Sequence, residues 1–391
     1  MIEIRKVKLG ECCEIISGST PKTNVTEYWD GNILWATPKD LSKLGSKFIS
    51  DTSKKITQAG YKSCSTQILP PRSVLCSSRA PIGYVAINTV EMCTNQGFKN
   101  LIPCSDKVLP EYLYYWLGSQ KDYLQGLGNG ATFKEISKTI ISKVEIPLPS
   151  LRDQKRIVKM LDEVDILSQK RKQSIRFLDE YVNATFFSMF VKESEEKNIT
   201  FVKLESLSLK ITDGVHAKPN YTESGVPFIS VKNITTTRLK FDDCKFISLT
   251  DHQNFTKRCK AELNDILYTK VGATYGRACV VDTENDFSLY VSVALIKPKK
   301  DVVDPIFLKA VLNSSYVKRQ ADKSVKGAGV PDLHLIEIKK LKVPLPDMKE
   351  QKKFAELVSG VEATKQKMFI QSEELEKKFQ ALMQKAFKGE L

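Results

Sequence analysis

The segment KVEIPLPSLRDQKRIVKMLDEV (Lys143–Val164) has a counterpart later in the chain, KLKVPLPDMKEQKKFAELVSGV (Lys340–Val361). Each copy predicts a short strand, then a Pro-Leu-Pro corner, then an acidic residue and a glutamine at the start of a long heptad helix. Pro147 corresponds to Pro344 and Gln154 to Gln351, so both offsets are 197 residues. The chain therefore contains one module twice, each copy a globular domain followed by a long helix.

Weaker sequence similarities between the two copies extend the repeat to residues that precede the Pro-Leu-Pro corner. FVKLESL, from Phe201, resembles KVKLGEC, from Lys6, and the segment around Gly276 resembles the segment around Gly83. A period this long indicates domain duplication, since solenoid repeats are far shorter. We predict two mixed α/β (α+β) domains at 1–150 and 199–346. A central long helix with its linker at 151–198 and a C-terminal long helix at 347–391 follow them.

The two helical segments carry apolar residues at alternating spacings of four and three, the period of a coiled coil. No glycine or proline occurs between Leu151 and Phe190, so nothing in the sequence ends the first helix early. Polar residues at Ser168, Arg171 and Lys365 interrupt the pattern. The predicted seam consists of Ile157, Leu161, Val164, Ile175, Leu178, Val182, Phe354, Val358, Val361, Met368, Leu375 and Phe379.

The composition and the net charge limit the classes of function that the chain can have. The net charge is +14, and residues 1–150 contribute +5 and residues 199–346 contribute +7, so the basic excess lies in the globular domains. Such an excess favours a polyanion such as nucleic acid. No apolar run approaches the ~20 residues that span a bilayer, and the N-terminus lacks a signal-peptide segment. Nine cysteines without a C-x-x-C pair, and three scattered histidines, predict reduced thiols in the cytoplasm and no metal site.

The sequence resembles a known family through several further segments. They are GSTPKTNVTEYWDGNILWATPKDL from Gly18, RAPIGYVAI from Arg79, TNQGFKNL from Thr94 and the closing AFKGEL. Together with the repeated corner and helix, they resemble the DNA-specificity subunit of Type I restriction–modification systems over essentially the whole chain.

The resemblance implies a fold and a set of partners. Two target-recognition domains would be joined by long helices that pair as an antiparallel coiled coil and act as a spacer. The subunit itself would not be catalytic. Two methyltransferase subunits would carry S-adenosylmethionine, and restriction subunits would use ATP and Mg for translocation, so this chain would need no cofactor.

The motifs that are missing from the sequence agree with a non-catalytic role. It contains no Asn/Asp-Pro-Pro-Tyr/Phe motif for adenine methylation and no G-x-x-x-x-G-K-[ST] phosphate loop. The segment PDLHLIEIK superficially resembles the carboxylates of a nuclease core. Its two halves are too close in sequence for two separate strands, and the matching segment of the first copy, KEISKTIIS, has no Glu-x-Lys.

Sequence recognition needs donors and acceptors that reach base edges, together with cations for phosphates. Polar and basic residues in the predicted loops of both domains supply these groups, although the same residue types also close ordinary turns. The predicted DNA-binding residues of the first domain are Thr20, Lys22, Tyr28, Lys39, Ser78, Arg79, Asn129, Thr132 and Lys134. Those of the second domain are His216, Lys218, Tyr221, Lys232, Asn233, Lys270, Thr274, Tyr275, Arg277 and Lys326.

These observations predict a subunit that recognises a bipartite, asymmetric site in double-stranded DNA. A helix of about 40 residues is roughly 60 Å long, which corresponds to on the order of 18 base pairs. The alternative is a coiled-coil scaffold, independent of DNA, whose duplicated domains bind protein. Steep salt dependence of binding would distinguish the DNA-binding subunit from the scaffold.

Overall fold

A computed structural model of the chain describes residues 4–79, 81–129, 134–196, 198–217, 219–235, 238–327 and 329–391. It divides into two compact units. The first contains Met1–Arg171 and Gln371–Leu391, and the second contains Lys172–Ile370. Within the described residues, no helix is both long and apolar enough to cross a membrane.

The first globular domain alternates short strands with short helices. Strands β1 to β10 are Arg5–Lys8, Cys13–Ser17, Trp29–Ala36, Phe48–Ile49, Lys55–Ile56, Val74–Ser77, Val85–Asn88, Cys93–Thr94, Phe98–Pro103 and Glu145–Leu148. Helices α1 to α6 are Leu9–Cys12, Pro38–Ser42, Gln58–Lys62, Pro110–Ser119, Lys121–Leu127 and Lys138–Ser142. A 3₁₀ turn covers Thr26–Tyr28. The long helix α7, Leu151–Phe187, follows and ends in a π-helical turn, Ser188–Lys192.

The second globular domain has the same plan. Strands β11 to β20 are Thr200–Lys203, Ser208–Asp213, Tyr221–Thr222, Val226–Ile229, Lys245–Ile247, Ile266–Thr269, Ala278–Val280, Ser288–Leu289, Val293–Pro298 and Lys342–Leu345. Helices α8 to α11 are Leu249–Thr256, Pro305–Asn313, Ser315–Ser324 and Leu335–Lys340. 3₁₀ turns cover Leu204–Leu207 and Val231–Asn233. The second long helix, α12, is Met348–Lys388.

The sheets confirm the duplication. The central sheet of the first domain has the order β2-β9-β6-β7-β4, and that of the second has the order β12-β19-β16-β17. A smaller sheet accompanies each one, β5-β3-β8 in the first domain and β13-β15-β14-β18 in the second. A two-stranded ladder, β1 with β10 or β11 with β20, joins the start of each domain to its Pro-Leu-Pro corner.

Each central sheet is buried on both faces, which explains the near-continuous apolar character of its strands. In the first domain, Cys76 and Leu101 pack with helix α4 in the larger core, and Leu75 and Phe98 pack with the smaller-sheet side. The second domain repeats this division between its two main clusters. Helix α4 begins at Pro110, and proline in the first turn of a helix costs no hydrogen bond.

The long helices pair within each unit. In the first unit, Ile157 and Leu161 share a core with Met383 and Ala386, near the end of α12. In the second unit, Phe186, near the end of α7, packs with Phe354 and Val358, near the start of α12. The direction is therefore antiparallel in both units, as predicted. All of the predicted seam residues are buried or half-buried.

One polar interruption of the seam has a partner. Lys365 is buried, and its ammonium group forms an ion pair with Asp179 of the other helix in the second unit. A buried charged residue at a seam position favours one register over others because shifted pairings would leave the charge without a partner. Lys365 therefore contributes to the register of this helix pair.

A glutamine at the start of each long helix is completely buried. Gln154 Oε1 accepts a hydrogen bond from Leu109 N at 2.9 Å, and its Nε2 donates to Lys107 O at 2.8 Å and Pro149 O at 3.0 Å. Gln351 repeats all three bonds, accepting from Asp304 N at 2.9 Å and donating to Val302 O at 3.1 Å and Pro346 O at 2.9 Å. Each side chain joins the corner to the turn before α4 or α9.

The strand at each corner extends further than the sequence pattern predicts. The pattern favours strands at Val144–Ile146 and Leu341–Val343, whereas the ladders run to Leu148 and Leu345. Pro147 pairs opposite Lys6. Proline is tolerated here because β10 pairs with only one neighbour, so the missing N–H is not needed by a second strand.

Replacement of Gln351 by leucine tests the contribution of these bonds. The variant leaves one buried N–H and two buried carbonyls without their partner, which should lower the free energy of unfolding by about 3 kcal/mol. Chemical denaturation measures the change. Gln173→Leu, at an exposed position of α7, is the matched control and should change it by less than about 0.5 kcal/mol. Equal midpoints for the two variants would contradict the assigned role.

Candidate nucleic-acid interface

Several loops of the first domain emerge at one end of its central sheet. Strand β2 ends at Ser17, opposite Lys99 near the start of β9, and β6 ends at Ser77, opposite Phe98. Backbone hydrogen bonds link the loops that follow: Ser78 N donates to Gly97 O at 2.7 Å, and Ile136 N donates to Ser78 O at 3.0 Å. We call this surface the first loop face; it comprises residues 18–22, 78–79, 95–97, 128–129 and 134–136.

The second domain has an equivalent surface. Gly214 N, after β12, donates to Val293 O at 3.2 Å, and Lys270 N, after β16, donates to Ser292 O at 2.9 Å. A later loop closes over them, because Leu333 N donates to Lys270 O at 2.8 Å. The second loop face comprises residues 214–217, 270–277, 290–292, 326–327 and 329–332.

The loop faces bring together about two thirds of the predicted DNA-binding residues. The first loop face contains Thr20, Lys22, Ser78, Arg79, Asn129 and Lys134, and the second contains His216, Lys270, Thr274, Tyr275, Arg277 and Lys326. Tyr28 and Lys39 lie instead beside the smaller sheet of the first domain, and Tyr221, Lys232 and Asn233 lie in the smaller-sheet region of the second. Thr132 and Lys218 lie outside the described residues.

The predicted residues differ in how much of their side chain reaches solvent. The exposed ones are Lys22, Lys39, Asn129, Lys134, His216, Tyr221, Lys232, Arg277 and Lys326. Thr20, Tyr28, Arg79, Thr274 and Tyr275 are half-buried, and Ser78, Asn233 and Lys270 are buried. Asn233 Oδ1 accepts from Ser230 N at 3.0 Å, as part of a helix cap. Buried side chains that are bonded within the domain support the surface rather than form it.

The loop between β6 and β7 and its counterpart between β16 and β17 are held by a hydroxyl group at the base. Ser77 Oγ donates to Pro81 O at 2.7 Å and accepts from Tyr84 N at 2.8 Å. Thr269 Oγ1 donates to Thr274 O at 2.6 Å and accepts from Arg277 N at 2.9 Å. Each hydroxyl therefore connects the base of its loop to the middle and to the end of that loop.

A glycine with positive φ completes each of these loops. Gly83 has a φ of +94° and Gly276 a φ of +85°, a backbone region that favours glycine. Each glycine also faces a lysine, Lys121 of α5 or Lys318 of α10, near enough that a Cβ would contact that side chain. The sequence match between Gly83 and Gly276 is thereby confirmed as a shared turn.

A cluster of charges lies under the second loop face. Asp213 pairs with Lys270 Nζ at 3.1 Å, with His216 Nε2 at 3.3 Å and with Arg258 Nη1 at 3.4 Å. Burial opposes ionisation of Asp213, but bonds and charges from Lys270 and His216 outweigh it and hold the pKa of this carboxyl below its usual value. Arg258 Nη2 also donates to Asp213 O at 2.9 Å and to Gly214 O at 2.7 Å, so the charges fix the start of this loop.

The first domain has a different cluster in the same region. Lys99 Nζ pairs with Glu135 Oε1 at 3.0 Å and lies 3.4 Å from Ser78 Oγ. Arg79 Nη1 lies 3.7 Å from Glu135 Oε2, and the two residues also form an isolated backbone bridge. Glu135 therefore orients Arg79 at the edge of the loop face.

Two tyrosines predicted to contact DNA are already in contact with lysines. Lys318 Nζ lies 3.3 Å from the centre of the Tyr275 ring, and Tyr275 donates its hydroxyl to Asp322 at 2.6 Å. Lys245 Nζ lies 4.1 Å from the centre of the Tyr221 ring. These cation–π pairs rigidify the rings. Tyr221, which is more exposed than Tyr275, is the one that still presents an aromatic surface.

Several residues that shape the loop faces were missed by sequence reasoning. Lys99, Glu135 and Arg258 act through contacts between segments that are distant in the chain, whereas Thr269 acts on residues five and eight positions later in its own loop. One available signal was a lysine in an otherwise apolar strand, as at Lys99 between Phe98 and Leu101. Among the described residues, no group of three or more His, Cys, Asp or Glu side chains could hold a metal ion.

Comparison with known proteins identifies relatives of the whole chain. The family model for the Type I restriction modification DNA specificity domain matches residues 1–176 and 196–377, once for each copy of the repeat. The specificity subunit of the Type I restriction enzyme MjaIX from Methanocaldococcus jannaschii is 30% identical over 376 residues. That alignment covers 91% of this chain and 85% of the relative.

Solved structures have a similar fold. A chain from a study of complex assembly and conformational transition of the type I R-M system matches with a TM-score of 0.61 and 17% identity, covering 100% of both chains. The crystal structure of a Type-I restriction-modification system S subunit from M. genitalium matches with a TM-score of 0.53 and 15% identity. That match covers 99% of this chain and 96% of the other.

Replacement of Thr269 by valine tests the hydroxyl at the loop base. The variant keeps the shape of the side chain but removes both of its bonds, so the loop should open more readily by about 2 kcal/mol. Hydrogen exchange at the amide of Arg277 should then be faster by roughly 30-fold. Thr222→Val, at an exposed position of β13, should leave that rate unchanged. Unchanged exchange in the Thr269 variant would show that the loop is held by other contacts.

Proposed function

Because this chain belongs to the family of Type I restriction–modification DNA specificity subunits, we propose that its loop faces each recognise one half of a bipartite DNA site. As a specificity subunit it is not an enzyme; it supplies DNA recognition to a restriction–modification complex. The observation that carries the proposal is the pair of loop faces, which share a backbone frame and differ in side chains.

The differences between the loop faces support two unlike half-sites. Arg79 and Val271 occupy corresponding bridges to Glu135 and Asp332. Ser17 ends β2, where Asp213 ends β12. Since base edges are distinguished by their donors, acceptors and methyl groups, such changes alter which bases a surface binds. An asymmetric site follows from two different surfaces.

The exposed cations of the loop faces are suited to bind the phosphates of DNA. Lys22 and Lys134 lie on the first loop face, and Arg277 and Lys326 lie on the second. In most protein–DNA complexes such side chains bind phosphates and fix the register of the protein on the duplex. Sequence discrimination would then come from the polar groups beside them, among them Thr20 and Asn129.

We further propose that the long helices set the gap between the half-sites. Helix α7 has 37 residues, so it is about 56 Å long, equivalent to on the order of 16 base pairs of B-DNA. A rigid helix pair favours one separation because a coiled coil cannot stretch to fit a different gap. The repeated Pro-Leu-Pro corner, which the glutamine holds in each copy, would set the angle at which the helix leaves its domain.

The helices also provide surface for protein partners. In the second unit, Phe177 is 55% exposed and Tyr181 is 52% exposed, one turn apart on α7, and Phe369 and Ile370 are exposed on α12. Exposed aromatic residues in such groups are typical of protein interfaces. We propose that two methyltransferase subunits dock on the helices and carry S-adenosylmethionine, and that restriction subunits bring the ATP and Mg-dependent activities. The nine free cysteines support a cytoplasmic complex.

The alternative function, a scaffold that binds only protein, is less well supported. It gives no reason for exposed basic residues to lie on both loop faces. DNA binding that weakens steeply with salt supports the specificity subunit, because neutralised phosphates release counterions. A flat salt response would favour the scaffold.

The proposed function is tested by expressing the chain with its methyltransferase subunit in cells that lack adenine methylation. Sequencing that detects modified adenines should give a gapped motif with two unlike halves, because two different surfaces are held at a fixed separation. Omission of the specificity chain is the control and should give no motif. A continuous palindrome would overturn the model of two recognition surfaces.

Docking on α7 is tested by the change Phe177→Glu. A charge at this position should reduce co-purification with the methyltransferase subunit by about tenfold or more, because it removes an aromatic contact and buries a carboxylate. Lys172→Glu, about 140° around the same helix, is the matched control. Arg156 is unsuitable for such a test, since its Nη2 donates to Leu391 O at 2.9 Å. Equal co-purification for both variants would place the interface elsewhere.

A further inference from the structure

Each globular domain contains a buried lysine beneath its loop face. Lys99 is 5% exposed and Lys270 is 6% exposed. Lysine is almost never buried unless its ammonium group is paired, because removing the charge from water is costly. Each does have a carboxylate partner: Lys99 Nζ lies 3.0 Å from Glu135, and Lys270 Nζ lies 3.1 Å from Asp213.

The two ammonium groups lie at equivalent positions of the two domains, although the lysines are not equivalent in the sequence repeat. Lys270 directly follows β16, as Ser78 directly follows β6. Lys99 extends from the neighbouring strand β9, and its Nζ lies 3.4 Å from Ser78 Oγ. The first domain therefore brings a lysine from β9 to the position that the second domain fills with Lys270 itself.

Each ion pair connects a loop to the sheet or to another loop. In the first domain, the pair joins β9 to Glu135, whose backbone also bridges Asn129 and Arg79. In the second domain, it joins the loop that starts at Lys270 to the end of β12 at Asp213. Removal of either lysine would leave Glu135 or Asp213 without its nearest cationic partner.

We propose that Lys99 and Lys270 are positioning residues, each of which holds its own loop face in the geometry that recognises a DNA half-site. The inference rests on the proposed function and adds to it the groups that determine loop geometry in each domain. Neither lysine is a phosphate ligand, because both are buried and their charge is already balanced by a carboxylate. They act instead through the loops that carry Arg79 and Arg277.

The experiment uses the full chain and duplex DNA that contains the methylated motif, with either half replaced in turn. Discrimination is the ratio of the affinity for the intact motif to the affinity for the motif with one half replaced. Lys99→Met should reduce this ratio by about tenfold or more for one half only, and Lys270→Met should reduce it for the other half only. Lys138→Met, at an exposed position of α6, is the control and should leave both halves unchanged. Lys99→Arg should restore part of the discrimination, since the charge is kept.

Salt dependence separates positioning from direct contact. A lysine that binds phosphate contributes a slope of about 0.9 in the logarithm of affinity against the logarithm of salt concentration. For the Lys99 and Lys270 variants we expect the slope of the parent chain. A slope that falls by one contact would overturn the proposal and make the lysine a phosphate ligand.

A second variant controls for folding. The double variant Lys99→Met with Glu135→Met removes both charges, so the domain should remain folded, and thermal unfolding measures this. The ion pair that connects the loop to β9 is still lost, so discrimination between half-site sequences should still fall. Full discrimination in this folded double variant would overturn the inference. If the parent chain itself fails to distinguish replaced half-sites, the proposed function fails, and the inference fails with it.

Discussion

The hydrogen bonds of Gln154 and Gln351 are the interaction on which the rest of the structure depends. Each buried amide makes three bonds, and each bond ends on a different backbone group of the turn before a helix or of the proline corner. A glutamine is suited to this task because it offers both a donor and an acceptor without a charge to bury. The long helix and the globular domain are thereby joined through backbone groups that side-chain divergence does not alter.

That arrangement explains how one frame can serve two different surfaces. The loop faces are held by backbone hydrogen bonds, by the hydroxyls of Ser77 and Thr269 and, in each domain, by the ion pair of a buried lysine. Side chains on the outer side of the loops are then free to differ without loss of the fold. Base recognition and domain stability consequently depend on different groups of residues.

The sequence predicts the arrangement of the domains and helices better than it predicts which side chains form the loop faces, and the reasons are physical. The repeat, helix α4 and the antiparallel helices follow from local patterns, namely proline placement and heptad spacing. Ser78 and Asn233 were predicted to bind DNA and are buried, because serine and asparagine close turns as readily as they contact bases. The pairs of Lys99 and Lys270 depend on contacts between distant segments, which local pattern does not contain.

The core of the first unit includes Met383 and Ala386, and Arg156 donates to Leu391 O. Residues of α12 thus complete the core of a unit whose strands are translated well before them. At about 5–20 residues per second, a ribosome needs on the order of ten seconds or more between Ser150 and Met383. During that interval the apolar surface around Ile157 and Leu161 lacks the α12 residues that cover it in the folded chain, so the first unit is completed only after the second domain has been translated.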